Sequence, residues 1–194
     1  MIILYPTETL YALGVNALDT EELHALFLLK GRDESQVASW QVRNVADMQK
    51  YAEMSETAVK IAEQFLPGPL TLVLPSKDTV PKIAAAPDGT IGIRISTDPA
   101  AQKIVAEFME EHDAPLTCTS ANVHDAPTFS MPGEILQQFG EKSQMITQVH
   151  DDGPRKGLAS TIVKVIGDEI TFIREGDISE AEIREVVKTV PGDS

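Results

Sequence analysis

Cysteine is almost absent from this chain of 194 residues, in which Cys118 stands alone. A single thiol cannot close an intramolecular disulfide, and it leaves no second cysteine for a paired zinc-binding motif. The sequence also lacks a His-Glu-x-x-His pattern, and its pairs His124-Asp125 and His150-Asp151 stand in polar stretches typical of surface loops. We therefore expect no metal-binding residues and a protein suited to the reducing cytoplasm.

Long apolar runs are missing as well. No uncharged segment approaches the roughly 20 residues that a membrane span requires, and Met1 does not open a basic and then apolar stretch of the kind found in secretory signals. A hydrophobic content of 42% can nevertheless build one substantial core. We expect a single soluble, cytoplasmic domain over residues 1–194, with a disordered tail at 190–194.

Positive charge and aromatic rings are both scarce. Thirty acidic residues outnumber 16 basic ones, which gives a formal net charge of -14, and the aromatic residues are one Trp, three Tyr and six Phe. Such a chain repels a phosphate backbone and has few rings to stack on bases, so tight direct nucleic-acid binding is disfavoured. Several of the few cations fall in unusual sequence patches, which indicates a small anionic ligand instead.

Known nucleotide signatures are also lacking, because no glycine spacing matches a Walker P-loop or a Rossmann fingerprint. What the chain does contain is an alternation of strand and helix patterns. Capping residues Asp19, Asn44, Ser55, Asp98 and Ser179 predict helices after them, and residues 133–140 a short one. Predicted strands cover Ile2–Tyr5, Leu70–Leu74, Ile91–Ile95, Pro115–Thr119, Thr161–Val165 and Ile170–Ile173. The pattern predicts an α/β fold with a twisted mixed sheet whose strand order the periodicity does not give.

Polar side chains gather where these elements end. Two threonines flank Glu8 after the first strand, in a position suited to a substrate ammonium or hydroxyl group; the alternative is an ordinary turn. Lys30 and Arg32 follow a helix, where they could balance its dipole or clamp a phosphate.

Two further patches leave alternatives open. Arg94 interrupts an apolar strand, and a buried guanidinium is costly without an anion, so it either pairs with an internal carboxylate or faces a ligand carboxylate. Residues 117–122 place small hydroxyl and amide groups at the end of another strand, where they could bind phosphate oxygens or simply form a turn.

Taken in order, seven patches resemble the YrdC-like threonylcarbamoyl-AMP synthase family over nearly the whole chain. They are Pro6–Tyr11, Lys30–Arg32, Pro67–Thr71, Gly92–Ile95, Thr119–Asn122, Ser160–Val163 and Arg174–Gly176. The resemblance implies a twisted open mixed sheet flanked by helices, with a large, positively lined concave cavity. It implies condensation of L-threonine, bicarbonate and ATP, escorted by Mg²⁺, to threonylcarbamoyl-AMP and pyrophosphate. The product would serve a tRNA threonylcarbamoyl transferase complex that makes the t6A37 modification.

The same resemblance assigns roles to particular residues. It implies an ATP-binding group of Lys30, Arg32, Ser120, Asn122 and Arg174, in which Lys30 and Arg32 are also catalytic. It implies an L-threonine-binding group of Thr9, Arg94 and Ser160, with Thr7 and Tyr11 on the same wall. No side-chain nucleophile is required, because a carbamate formed on the threonine amine attacks the α-phosphate and the protein supplies positioning and charge.

Several neighbours of these motifs depart from the family pattern. Asp33 replaces a proline, Val37-Ala38 a Pro-Leu pair, Gln41 a histidine, Ser96 a proline and His124-Asp125 a Ser-Gly pair. The alternative function is a non-catalytic YrdC-like module that binds a nucleotide or RNA. A related carbamoyl-adenylate domain of hydrogenase maturation is a further option, although such domains usually belong to longer chains with zinc-binding regions.

Overall fold

The computed structural model of this protein describes residues 1–33 and 37–188, so the predicted tail at 190–194 lies outside the described residues. The described helices are α1 (Thr20–Lys30), α2 (Val45–Tyr51), α3 (Glu56–Phe65), α4 (Pro99–His112), α5 (Pro132–Phe139) and α6 (Glu180–Lys188). The described strands are β1 (Ile3–Tyr5), β2 (Ala12–Gly14), β3 (Ser39–Gln41), β4 (Leu70–Pro75), β5 (Thr90–Arg94), β6 (Leu116–Ser120), β7 (Gln148–Val149), β8 (Thr161–Ile166) and β9 (Glu169–Arg174).

Helix starts follow the predicted capping residues. The side chains of Asp19, Asn44, Ser55 and Asp98 each accept a hydrogen bond from a backbone N–H in the first turn of the helix that follows. Capping satisfies donors that have no partner inside the helix, and each cap stabilises a helix by about 1 kcal/mol. These helices therefore begin within a residue of where the sequence predicts.

Among the described residues, the strands form one sheet in the order β7-β1-β2-β6-β3-β5-β4-β8-β9. Three neighbouring pairs are parallel, β1 with β7, β3 with β5 and β4 with β8, while the others are antiparallel. The sheet is therefore mixed and open, as predicted, and helices flank it. Neighbours in this sheet are often distant in sequence, so it brings together loops from both halves of the chain.

The hydrophobic core is continuous across the sheet. Its largest fully buried side chains include Trp40, Tyr5, Tyr11 and Met48. The Trp40 ring meets Tyr51 of α2 edge to face, with ring centroids 5.6 Å apart. Burial of these apolar side chains supplies the main driving force of folding, at about 25 cal/mol per Å² of apolar surface. The core fixes the backbone of the strands from which the polar side chains of the cavity project.

Candidate active site

A cavity of about 170 Å³ lies on one face of the sheet. Its floor is a row of residues from neighbouring strands, because Ala12 pairs with Ser120, Ser39 with Cys118 and Ile162 with Arg174. The described residues that line it are Thr7, Thr9, Leu10, Tyr11, Ala12, Val37, Ser39, Thr71, Arg94, Cys118, Thr119, Ser120, Ala159, Ser160, Ile162 and Arg174. Seven predicted site residues are therefore brought together: Thr7, Thr9, Tyr11, Arg94, Ser120, Ser160 and Arg174.

The loop from β1 to β2, residues 6–11, forms one wall. Thr7 Oγ1 accepts hydrogen bonds from the backbone N–H groups of Thr9 and Leu10, at 3.2 Å each, and lies 3.0 Å from Thr9 Oγ1. Both threonines are buried. Thr7 therefore holds the turn in shape and places the Thr9 hydroxyl against the cavity.

Arg94 and Glu8 form a buried ion pair at the base of this wall. Arg94 Nη2 donates to Glu8 Oε1, and the Ser96 hydroxyl donates to Glu8 Oε2. The Arg94 side chain is only 7% exposed, and its Nε has no partner among the described residues. Arg94 therefore pairs with an internal carboxylate, the first of the two alternatives, and it also lines the cavity.

Ser160 and Arg174 form the opposite wall. Ser160 Oγ lies 3.0 Å from Thr71 Oγ1, and Arg174 donates from Nε to Ser160 O at 2.9 Å and from Nη2 to Ser160 Oγ at 3.3 Å. Burial, and to a lesser degree the charge of Arg94, lowers the pKa of Arg174. Two guanidinium groups thus share one small cavity, an arrangement that favours an anionic ligand between them.

Lys30 and Arg32 lie behind the rim formed by residues 119–122 and do not line the cavity. Lys30 is the last residue of α1, and Gly31 ends that helix in the left-handed conformation, with φ 67°. Lys30 Nζ donates to the carbonyl oxygens of Ser120 and Asn122, the latter at 2.8 Å. Burial, with a further contribution from the charge of Arg32, lowers the pKa of Lys30 to about 7.

The Arg32 guanidinium lies behind Thr119, a residue that lines the cavity, with much of its hydrogen-bonding capacity unused. Nη1 donates to Thr119 Oγ1 at 3.2 Å, and the guanidinium carbon lies 5.2 Å from the centre of the Phe27 ring. Nε and Nη2 are buried and have no hydrogen-bond partner among the described residues. Burial lowers the pKa of Arg32 to about 10. Buried donors of this kind are costly unless a ligand completes them.

The turn after β6 carries the other predicted phosphate-binding groups. Ser120 is exposed, and its hydroxyl donates to Asn122 Oδ1 at 2.6 Å. The Asn122 amide nitrogen donates to Val123 O and Ala126 O, so this side chain organises the turn rather than lining the cavity.

Among the departures from the family pattern, some lie at the cavity and others lie away from it. Val37 lines the cavity, whereas Gln41 accepts a hydrogen bond from the Tyr5 hydroxyl at 3.2 Å and does not line it. Asp125 takes a left-handed φ of 60°, which an aspartate adopts less readily than the glycine usual in the family. Ser96 binds Glu8, a contact that a proline could not make.

Three residues of the arrangement were missed by the sequence interpretation. Glu8 serves as the Arg94 counterion, Thr71 contacts Ser160, and Cys118 lines the cavity from β6. The position of Glu8 between two threonines was a signal in the sequence, but its partner, Arg94, lies 86 residues away along the chain. No group of three or more His, Cys, Asp or Glu that could hold a metal occurs in residues 1–33 and 37–188. Within the same ranges, no helix combines the length and apolarity needed to cross a membrane.

Comparison with known proteins places this cavity in a family context. The Sua5/YciO/YrdC family model, described as telomere recombination, matches residues 1–176. A candidate threonylcarbamoyl-AMP synthase of Methanocaldococcus jannaschii is 35% identical over 178 residues, which are 91% of this chain and 80% of that one. The threonylcarbamoyl-AMP synthase of Pyrococcus abyssi is 29% identical over 187 residues, which are 96% of this chain but only 53% of that protein.

Solved structures have the same fold. Pyrococcus abyssi Sua5 complexed with L-threonine superposes with a TM-score of 0.85 at 29% identity, over 95% of this chain and 53% of that one. Escherichia coli YciO, at 22% identity, shares the fold with a TM-score of 0.80 over 94% of this chain and 86% of that one. The chain thus spans about half the length of the Pyrococcus abyssi protein. With a family model that matches residues 1–176 and a fold shared with Sua5 and YciO, the chain belongs to the Sua5/YciO/YrdC family.

Proposed function

We propose that this protein is a threonylcarbamoyl-AMP synthase, a nucleotidyltransferase that condenses L-threonine, bicarbonate and ATP and releases pyrophosphate. The observation that carries the proposal is the single cavity where Thr9, Arg94 and Ser160 meet, with Lys30 and Arg32 behind its rim. Relatives named for this activity match nearly the whole chain. A cytoplasmic location and delivery of the product to a tRNA threonylcarbamoyl transferase complex complete the proposal.

L-Threonine is the substrate that enters the cavity. Ligand pockets usually measure about 300–1,000 Å³, and this cavity of about 170 Å³ suits an amino acid rather than a nucleotide. Arg94 and Arg174 present cationic groups to the substrate carboxylate, and the Thr9 and Ser160 hydroxyls are available to its amine and hydroxyl. The solved complex of Pyrococcus abyssi Sua5 with L-threonine supports this assignment.

ATP, entering with Mg²⁺, lies across the mouth of the cavity in this proposal. The Arg32 guanidinium, whose two unpartnered nitrogens are buried in the structure, turns toward the mouth when ATP binds and supplies hydrogen bonds to phosphate oxygens. The Lys30 ammonium adds a positive charge behind Ser120. Charge-assisted hydrogen bonds of this type are about twice as strong as neutral ones. They also offset the charge that develops on the α-phosphate as the carbamate attacks and pyrophosphate leaves.

Proton uptake is expected when ATP binds at pH 8. With a pKa of about 7, Lys30 is mostly neutral at pH 8 in the free protein, and a bound polyphosphate favours the ammonium form and raises this pKa. ATP affinity should therefore fall as the pH rises from 7 to 9. Calorimetry in buffers of different ionisation enthalpy measures the uptake, and Lys30→Arg, whose guanidinium stays charged, should abolish it. Equal uptake in the wild type and Lys30→Arg would contradict the assignment.

Pyrophosphate release tests the proposed reaction. Purified protein with ATP and Mg²⁺ should release pyrophosphate only when both L-threonine and bicarbonate are present, and omission of either should reduce release to the background rate. Release indifferent to L-threonine would refute the synthase. A salt-sensitive gel shift with tRNA and no pyrophosphate release would favour the binding module instead.

A further inference from the structure

Residues 151–159, which we call the strap, connect β7 to β8 and run across the β1–β2 loop without forming a helix or a strand. Its residues alternate in exposure. Gly153, Arg155, Gly157 and Ala159 are half-buried, whereas Asp152, Pro154, Lys156 and Leu158 are exposed. The strap thus has an inner face, on which Arg155 is the one long polar side chain.

Four hydrogen bonds tie the strap to the β1–β2 loop. The Tyr11 hydroxyl donates to Gly153 O at 2.8 Å and accepts from the Asp152 N–H at 3.1 Å. The Gly157 N–H donates to Thr9 O at 2.9 Å, and Arg155 Nε donates to Thr7 O at 3.0 Å. Thr7, Thr9 and Tyr11 all line the cavity. The strap therefore supports from behind the wall assigned to L-threonine.

Close backbone contact accompanies these bonds. A Cβ added to Gly157 would lie 2.7 Å from Thr9 Cα and 2.8 Å from Thr9 O, distances that real Cβ atoms essentially never show. Because backbone atoms cannot move aside as a flexible side chain can, the strap at Gly157 and the loop at Thr9 must shift together. A change in the strap is thereby transmitted to Thr9.

The Arg155 guanidinium connects the strap to a second element, the start of α4. Nη2 donates to Asp98 Oδ2 at 3.0 Å and to Asp152 Oδ2 at 2.6 Å, and Nη1 donates to Asp152 O at 2.7 Å. The Arg155 and Asp98 side chains are 14% and 11% exposed, whereas that of Asp152 is 60% exposed. A pair shielded from water contributes more than an exposed one, so Asp98 is the important partner.

Asp98 is itself fixed, because its Oδ1 caps α4 by accepting from Ala101 N at 3.0 Å. One guanidinium therefore links the rigid start of a helix to the carbonyl oxygen of Thr7. Arg155 is not among the residues that line the described cavity, so it does not meet a ligand there. A fixed geometry of this kind matters for rate, because a misplacement of about 1 Å can cost roughly 100-fold.

We propose that Arg155 is a positioning residue for L-threonine, which acts by holding the Thr7–Thr9 wall against the cavity through Thr7 O and Asp98. This inference rests on the proposed synthase activity and deepens it. The proposed role predicts different effects on the two substrates, because the strap supports the L-threonine wall and not Lys30 or Arg32. Loss of Arg155 should therefore affect L-threonine use and leave ATP use nearly unchanged.

The test is a steady-state comparison of Arg155→Met, Arg155→Lys and the wild type. Arg155→Met should lower kcat/KM for L-threonine about 10-fold and change the KM for ATP less than about 2-fold. Arg155→Lys retains the charge for Asp98 and should recover part of the loss. The amide of Gly157 should also exchange its hydrogen at least about 10-fold faster in Arg155→Met, a readout that needs no turnover.

Asp98→Asn and Asp152→Asn form a matched pair of controls. Asparagine caps a helix as well as aspartate does, so Asp98→Asn removes the charge and keeps the cap. It should raise the KM for L-threonine, whereas Asp152→Asn should leave it unchanged. Equal losses for L-threonine and ATP in Arg155→Met would overturn the proposal, as would wild-type kinetics.

Two further outcomes are decisive. If Arg155→Met does not fold, unchanged L-threonine kinetics in Asp98→Asn would overturn the proposal, and the expected rise would support it. If the wild-type protein shows no L-threonine-dependent pyrophosphate release, the synthase itself fails and this role falls with it. Failure of the Arg155 proposal alone gives a different result, in which the wild type is active and Arg155→Met has the same L-threonine kinetics as the wild type.

Discussion

Replacing Arg32 with methionine is expected to lower kcat/KM for ATP about 100-fold without lowering the free energy of unfolding. The expected fall follows from the proposed role of Arg32, because the variant lacks the two guanidinium nitrogens that have no partner among the described residues and are proposed to bind phosphate. Hydrogen bonds to charged groups contribute about 1.5–3 kcal/mol each, and about 2.7 kcal/mol corresponds to 100-fold. Stability is maintained because methionine keeps the packing against Phe27 and removes a desolvated charge.

Two measurements check this expectation together, ATP kinetics and unfolding by denaturant. Lys103→Met, whose ammonium belongs to a side chain that is 75% exposed, serves as the matched control and should change neither quantity. If Arg32→Met lowered the free energy of unfolding but left the ATP kinetics normal, Arg32 would stabilise the fold and would not bind the nucleotide.

Arg94→Met is expected to destabilise the protein by about 3 kcal/mol and to abolish measurable saturation by L-threonine. Loss of one partner from a buried ion pair leaves the other charge uncompensated, which costs about 3–5 kcal/mol. Here the carboxylate left without its partner is that of Glu8, which accepts a hydrogen bond from the Ser96 hydroxyl and whose side chain is 15% exposed. Unfolding by denaturant measures the first effect, and initial rates against L-threonine concentration measure the second.

The double variant Glu8→Gln/Arg94→Met separates folding from binding. With both charges gone, the free energy of unfolding should return to within about 1 kcal/mol of the wild type, because no buried charge lacks a partner. L-Threonine use should stay impaired, because the cation toward its carboxylate is still missing. Restored L-threonine kinetics in the double variant would show that Arg94 serves only to neutralise Glu8.

Local signals in the sequence predicted much of the fold. Caps such as Asp19 and Ser55 carry their partners within three residues, so the starts of α1 and α3 could be predicted from short-range chemistry. The strands β8 and β9, which pair with each other as neighbours in sequence, were also predicted to within one residue at each end. The strands β2, β3 and β7 were missed, because each has only two or three residues and, unlike the equally short β1, none is a run of large apolar and aromatic side chains.

Residues of the candidate active site could be predicted from the sequence, but their arrangement in space could not. Family resemblance pointed to Thr9, Arg94 and Ser160, and the structure places all three on one cavity. That Lys30 lies behind the carbonyl oxygens of Ser120 and Asn122 depends on the pairing of β2 with β6, which periodicity does not determine. The Glu8 contact with Arg94 and the Arg155 contact with Asp98 likewise join distant segments.

In the proposed reaction, one cavity and its rim bring an amino acid and a nucleotide close enough to react. Incubation with ATP, Mg²⁺, L-threonine and ¹³C-bicarbonate, followed by mass spectrometry, tests it most directly. We predict an adenylate that contains L-threonine and one ¹³C atom, formed in equal amount to pyrophosphate and lost in Arg32→Met. Release of pyrophosphate or AMP with no labelled adenylate of L-threonine would contradict the account.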